Sequence, residues 1–436
     1  MDNLNQDINF NRTHYSFSKI KLALATSFFL ILVSPFEFFG QQESKPLLDY
    51  GITGSDGTGR YSSTIGKVPV QKALLDIAKE PRDVNFINSV LQGSEVSLKD
   101  LEELKLIRLE KGKYVLNFML LTNEDQRKIY SFSEKYANEL AAEFLKRKPE
   151  IDKLLDNYTV PTVDKKDVNY IILGCFSLDW DGLVITGEKN YRLTADTISK
   201  GKTYIPWANQ NEEKSLNKAM FKGSHNTYLS SVVLTSFGDH YSLPRQALPD
   251  IFYRISVSSN MPSSLRGNIY SMLGLSLNNT GGDIGKIMMA LREGEKNADQ
   301  LSQISGLSNS NVNTLIGLLL EMEYIGQKGD NYYARIPVLD KRDKMLVTKL
   351  RQIGRDVMSE WLEKNYPKTK SDLSDITYMQ YGGDYKIAFT EIWHYIFGLT
   401  NKKLVEAGFF GDPYSESRKY KGFIPVVWHP DLSDFR

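Results

Sequence analysis

Residues Ala298 to Ile336 read ADQLSQISGLSNSNVNTLIGLLLEMEYIGQKGDNYYARI, and their punctuation decides the fold. Ala298 to Ile304 has the pattern of a short helix. Gly306 follows and supplies the left-handed residue that turns the chain out of it. Ser308 or Asn309 then caps a second helix, in which Val312, Leu315, Ile316 and Leu319 recur at i, i+3, i+4 and i+7. That spacing is the apolar stripe of a helix laid on a core. Beyond Tyr324 and Ile325, the stretch Gln327 to Asn331 carries Lys-Gly-Asp and reads as the tip of a hairpin.

The same plan occurs once before. Val70 to Ile107 is followed by RLEKGKYVLNF, as Ile287 to Ile325 is followed by GQKGDNYYARI. Each helical region ends on an isoleucine and gives way to a Lys-Gly turn and an aromatic strand. In the earlier stretch Leu98, Leu101, Leu104 and Ile107 line the second helix and Gly112 marks the hairpin tip. Thr122 with Asp125, and Asp340 with Asp343, then set a capping residue three before an acidic one. Each pair opens a long amphipathic helix: Ile129, Phe132, Tyr136, Leu140 and Phe144 line one, and Leu346, Leu350, Ile353, Val357 and Trp361 the other. The register agrees. The offset from Ile107 to Ile325 differs by a single position from that between Tyr204-Ile205-Pro206 and Phe423-Ile424-Pro425, and Trp180 and Trp393 stand at a slightly shorter one.

Helix, glycine turn, helix and hairpin is the order of a winged helix. Ile284 to Val338 resembles the winged helix-turn-helix of ArsR and MarR type transcription regulators, on Ala298-Asp299-Gln300-Leu301, Gly306-Leu307-Ser308, the stripe from Val312 to Leu320, and Tyr324-Ile325. The expected fold is α+β, mainly helical: tandem winged-helix-like modules, each followed by a long amphipathic helix and an aromatic-rich subdomain. The expected divisions are a signal peptide or membrane anchor over 1–40, a flexible linker over 41–66, a first module over 67–210, an unshared loop-rich segment over 211–282 and a second module over 283–436.

The resemblance implies that the second of these helices would read DNA, through Asn309, Ser310, Asn311 and Asn313, with Lys328 of the wing on the backbone. Charge argues against that use, because DNA affinity draws heavily on Lys and Arg neutralising phosphates. Asn309 to Met322 contains no Lys or Arg, and Lys328 stands beside Asp330. The earlier stretch sets Lys99 and Lys105 against Asp100, Glu102 and Glu103. The whole chain is nearly neutral, 54 Lys and Arg against 53 Asp and Glu, so it offers no general pull toward nucleic acid or anionic lipid.

A single cysteine, Cys175, excludes an intramolecular disulfide and a cysteine-rich zinc site. The N-terminus points to export. Arg12, Lys19 and Lys21 precede the apolar run Leu22 to Val33, shorter than the about 20 residues of a membrane span and matched to a signal peptide's apolar region. Gly40 meets the small-residue preference at a cleavage site and Phe38 does not, so the segment reads as a cleaved signal or a retained membrane contact. The expected location is periplasmic or secreted.

The densest polar run lies in the unshared segment: His225, Asn226, Asp239, His240 and Arg245, set among glycines and prolines that place them on loops. Two histidines with an aspartate suit a metal, and Arg245 suits an anion. The alternative is a buried hydrogen-bond network fixing loops to the core. Glu391 and His394 stand at i and i+3 on one helical face, a geometry of helical di-iron sites that occurs only once here and reads better as a core histidine beside Trp393; Asp179-Trp180-Asp181-Gly182 suits a sugar or cation loop but reads more simply as a turn. No cofactor fingerprint, paired catalytic carboxylates or nucleophile elbow occurs. The leading expectation is a non-enzymatic interaction protein of the cell envelope with a protein partner or a second copy of itself. A winged-helix DNA-binding regulator comes second, and a metal-binding protein or hydrolase built on His225, Asp239 and His240 third.

Overall fold

The computed structural model describes residues 46–54, 59–193, 204–211, 216, 220–228, 232–239 and 277–432. Residues 1–40, expected as a signal peptide or membrane anchor, and His240 and Arg245 lie outside them. Among the described residues 57% are helical and 17% are strand, so the chain is α+β with helices dominant and several small sheets. It divides into two compact units, one from residues up to Thr122 with Thr194–Asn211, the other from Asn123–Leu193 with Glu212–Arg436.

The first unit contains strand β1 (Leu48–Gly54) and helices α1 (Arg60–Ile65), α2 (Val68–Lys79), α3 (Val84–Leu91) and α4 (Leu98–Glu103). The hairpin strands β2 (Ile107–Glu110) and β3 (Lys113–Leu116), then β4 (Met119–Leu121) and β5 (Tyr204–Gln210), complete it. Val70, Leu74 and Ile77 of α2 are fully buried, as the helical period demands. Asp83 caps α3 by accepting from Phe86 N–H, and Ser97 with Asp100 closes a capping box on α4. The hairpin turns on Lys111 and Gly112, both with positive φ, and a two-way bridge between Arg82 and Tyr114 adds a third strand position to it.

A separate sheet runs β1-β5-β4, with β1 antiparallel and β4 parallel to the central β5. Pro206 is tolerated in that central strand because β4 pairs only from Trp207 onward, leaving one side of Pro206 without a ladder to supply. The stretch 41–66, expected as a flexible linker, therefore holds a paired strand and a helix whose Tyr61 and Ile65 are fully buried. Its glycines concealed an i, i+4 apolar pair and a strand whose partner, β5, lies far along the chain.

The second unit opens with α5 (Asn123–Lys146) and α6 (Lys148–Leu155), then α7 (Lys165–Asn169), a π-helical segment (Tyr170–Asp181) and α8 (Gly182–Glu188). Strands β6 (Phe221–Tyr228) and β7 (Val233–Asp239) follow, then α9 (Leu277–Arg292), α10 (Ala298–Ser305) and α11 (Asn309–Glu321). The remainder is β8 (Ile325–Lys328), β9 (Asn331–Ala334), β10 (Val338–Leu339), α12 (Lys344–Asp372), α13 (Thr377–Gln380), α14 (Tyr385–Glu406) and β11 (Phe423–Trp428).

The sequence repeat has a structural counterpart. Lys296 bridges Tyr332 of the β8–β9 hairpin as Arg82 bridges Tyr114. The chain leaves α4 through Lys105 at φ 57° and α11 through Glu323 at φ 58°, positions separated by the same offset as Ile107 and Ile325. The four-stranded sheet runs β10-β11-β7-β6, with β10 parallel and β7 antiparallel to β11. Thus β11, β10 and β7 take the places of β5, β4 and β1, and Pro425 again precedes the parallel partner's pairing. The segment 211–282, expected to be unshared, contributes β7 to the shared plan.

The helices exchange between repeats. First-repeat α5 packs on second-repeat α14, and second-repeat α12 packs on the first-repeat π-helical segment. Tyr136 meets Trp361 edge-on at 5.8 Å, Trp361 lies 6.3 Å from Trp393, and the Trp393 indole N–H donates to the Leu178 carbonyl at 3.2 Å. Residues 123–193 therefore belong with the second unit and not with a self-contained module over 67–210. Trp180 and Trp393 are not counterparts: the helices that carry them begin at Lys165 and Tyr385, and Trp180 stands much further along its helix than Trp393 does. By length and composition Lys165–Glu188 resembles a membrane span, yet 83% of its apolar window is buried inside the protein.

Candidate functional site

Three groups of residues have the chemistry of a site: the exposed faces of α4 and α11, the β6–β7 polar residues, and a buried polar cluster on the π-helical segment. On α11, Val312, Leu315, Ile316 and Leu319 are buried. Ser308 accepts from Asn311 N–H at 3.3 Å as the cap. Gly306, at φ 69°, ends α10. This leaves Asn309, Ser310, Asn311 and Asn313 exposed at the N-terminal end of α11. Asn309 donates to Asp299 at 3.2 Å, and Lys328 at the hairpin tip stands 3.8 Å from Glu295. The exposed face of α4 is acidic: Arg60 joins Asp100 at 2.6 Å and Glu103 at 2.8 Å, and Lys99 lies 3.7 Å from Glu103. Hydrogen bonds from Ser97, then Arg60, hold the Asp100 carboxyl down to about 2.

Of the β6–β7 residues, His225 and Asp239 do not converge, and His240 and Arg245 lie outside the described residues. His225 is in register with Ser236, and Asn226 with Thr235, whose hydroxyl donates to the Asn226 side chain at 2.6 Å. Ser236 and Asp239 stand an odd number of positions apart on β7, so His225 and Asp239 project from opposite faces of the sheet. Asp239 is buried and accepts from the Tyr414 hydroxyl. These residues stand in a strand ladder and not on loops, because the tertiary pairing outweighs the glycine and serine content. Among the described residues no group of three or more His, Cys, Asp or Glu is placed to hold a metal ion. Glu391 instead pairs with Lys222 at 3.2 Å. His394 Nδ1 lies 2.7 Å from the Thr390 carbonyl, and burial pushes the imidazole's pKa down.

The acids of the third group were visible in the sequence, but their helical setting and cationic partner were not. Asp179-Trp180-Asp181-Gly182, expected as a turn, continues a helix. Asp181 accepts a bidentate pair from Arg351 of α12, at 2.8 and 2.6 Å, and a third contact from Arg355 at 3.2 Å. Just before it, Asp179 is buried with no such cation among the described residues. Burial raises its carboxyl to about 7 against the opposing effect of a hydrogen bond with Ser224 on β6. The Cys175 thiol is raised by burial and by Asp179. The signal that could have found this cluster is Arg351, which interrupts an apolar stripe running through Val347, Gly354 and Met358.

No family model, curated protein or solved structure matches the chain.

Proposed function

We propose that the chain is a non-enzymatic interaction protein whose repeats are winged-helix modules used for docking a protein partner. The observation that carries this reading is the chemistry of the two third helices. A helix that enters the DNA groove needs cations to hold phosphates, and here one helix is acidic and the other carries no cation. Polar, uncharged Asn309, Asn311 and Asn313 suit hydrogen bonding across a protein interface at little desolvation cost. The export segment adds the cell envelope as the proposed location.

The three-helix-plus-hairpin order supports the winged-helix assignment, with the third strand position at Arg82 and Lys296. The exposed polar row at the start of α11 also favours a second reading, a DNA-binding regulator, because such helices read bases with their N-terminal residues.

One experiment separates the two. A photocrosslinking side chain replacing Asn311 in the full chain is expected to trap a protein partner in cells and no nucleic acid. Fluorescence anisotropy of purified protein on duplex DNA is expected to show no sequence-selective binding at physiological salt. A selective, salt-dependent rise in anisotropy overturns the docking reading and promotes the regulator. Fractionation with N-terminal sequencing tests the location.

A further inference from the structure

The sheets of the two repeats match strand for strand as far as one edge. Ile52 of β1 stands opposite Pro206 of β5 as Ser236 of β7 stands opposite Pro425 of β11, and Tyr50 stands opposite Ala208 as Leu234 stands opposite Val427. In the second sheet β7 has a further neighbour, the antiparallel strand β6, which sets Thr227 opposite Leu234 and His225 opposite Ser236. Among the described residues the first sheet has no such strand, and β1 is its edge.

Register fixes which backbone groups that edge presents. Asn211 N–H donates to the Leu47 carbonyl at 2.8 Å, so the odd-numbered residues of β1 bond β5 and the even-numbered ones turn their N–H and C=O groups outward. The start of the edge is taken, because Leu48 N–H donates to Gln71 Oε1 of α2 at 3.2 Å. Beyond it, the N–H and C=O groups of Tyr50 and Ile52 have no hydrogen-bond partner among the described residues. Helix α2 does not close the rest of the edge. In the second repeat α9 holds the matching place, where a Cβ on Gly285 would come within 2.5 Å of Val232, and β6 still pairs with β7 from Val233 onward. Nor does β1 carry the lysine or proline that blunts an open strand edge.

We propose that this edge docks a second copy of the chain, the two β1 strands pairing antiparallel about a two-fold axis at Gly51. The open groups complement one another in that arrangement. Tyr50 of one copy and Ile52 of the other exchange both of their N–H···O bonds, and the symmetry repeats the pair on the far side of the axis. Tyr50 then faces Ile52 across the junction, an aromatic opposite a β-branched side chain, which favours strand pairing. This register uses the two residues whose groups are open and leaves Leu48 with Gln71. An unrelated strand could add to the same edge, but open residues flanking a single glycine make the edge complementary to itself. The sheets of the two copies join as β4-β5-β1-β1-β5-β4. The surface is separate from the exposed residues of α4 and α11, so its failure leaves the docking reading of those helices untouched.

Sedimentation velocity of the full chain is expected to show a monomer–dimer equilibrium between about 1 and 200 μM, the range of a small interface. Residue-resolved hydrogen exchange is expected to show the amides of Tyr50 and Ile52 gaining protection in step with the dimer fraction, while that of Gly51, already bonded to β5, changes little. Ile52→Pro removes half the bonds across the axis and none to β5, because the Ile52 N–H points outward. It is expected to raise the dimer Kd at least about tenfold with an unchanged circular dichroism spectrum. The exchange reading on the wild type stands even if that variant misfolds. A monomer at every concentration overturns the proposal, as does a dimer that forms equally well with Ile52→Pro. So does protection of Tyr50 and Ile52 that is the same at all concentrations, the sign of another strand of the same chain or a co-purified peptide on that edge.

Discussion

Replacing Arg351 with methionine tests the central ion pair of the second unit. Arg351 is 7% exposed and Asp181 2% exposed, joined by two hydrogen bonds of 2.8 and 2.6 Å. Removing the cation leaves a buried carboxylate, a change that costs about 3–5 kcal/mol because the desolvation of the survivor is no longer offset. Arg355 remains within 3.2 Å of Asp181, but it is half-buried and shares its guanidinium with Glu188. Its partial replacement of the charge sets the expected loss near the lower end, about 3 kcal/mol. Adding Asp181→Leu removes the stranded charge. The double variant is expected to lie within about 1–2 kcal/mol of the wild type, since a buried pair is often worth no more than well-packed apolar groups. Urea unfolding followed by far-UV circular dichroism reads all three proteins. A loss below about 1 kcal/mol in Arg351→Met, or a double variant less stable than the single one, refutes the reasoning.

Leu315→Asp, at a residue 1% exposed, is expected to cost several kcal/mol and abolish the thermal transition of the second repeat's three-helix region. Gly354→Ala would drive a Cβ into the Ser177 hydroxyl and is expected to lower stability by about 1–3 kcal/mol, with Ser177→Gly in the same chain recovering part of it in thermal melts. Lys105→Gly relieves a left-handed residue and is expected to raise the stability of the first unit by up to about 1 kcal/mol. Glu323→Gly at the equivalent place is not expected to gain in chemical denaturation, because Glu323 accepts from Lys419 N–H at 2.7 Å.

The local signals were legible and the long-range ones were not. Ser308, Gly306 and the Asp340–Asp343 capping box do what their side-chain chemistry dictates, since a cap needs only neighbours within a turn. Asp125 reaches across to Thr377 N–H at 2.8 Å, a partner distant in sequence that no local pattern specifies. The stripes of α5 and α12 were readable as apolar faces, but periodicity does not say which face meets which, so the exchange of helices between repeats was invisible. At the expected ligand site, the residues and their spacing were visible. What was not visible was strand register, which puts His225 and Asp239 on opposite faces and depends on the pairing of β6 with β7.

The helix exchange also imposes a timetable on synthesis. Helix α5 ends at Lys146, and α14, which covers it, does not begin until Tyr385. At roughly 5–20 residues per second, a ribosome needs on the order of 10–50 s to traverse the intervening chain. Throughout that interval Ile129, Tyr136, Leu140 and Phe144 have left the tunnel without the surface that buries them in the finished protein. A nascent chain displaying such a stripe is a substrate for holding chaperones and a target for self-association, so the yield of this protein should depend on elongation rate and chaperone supply more than its final stability suggests.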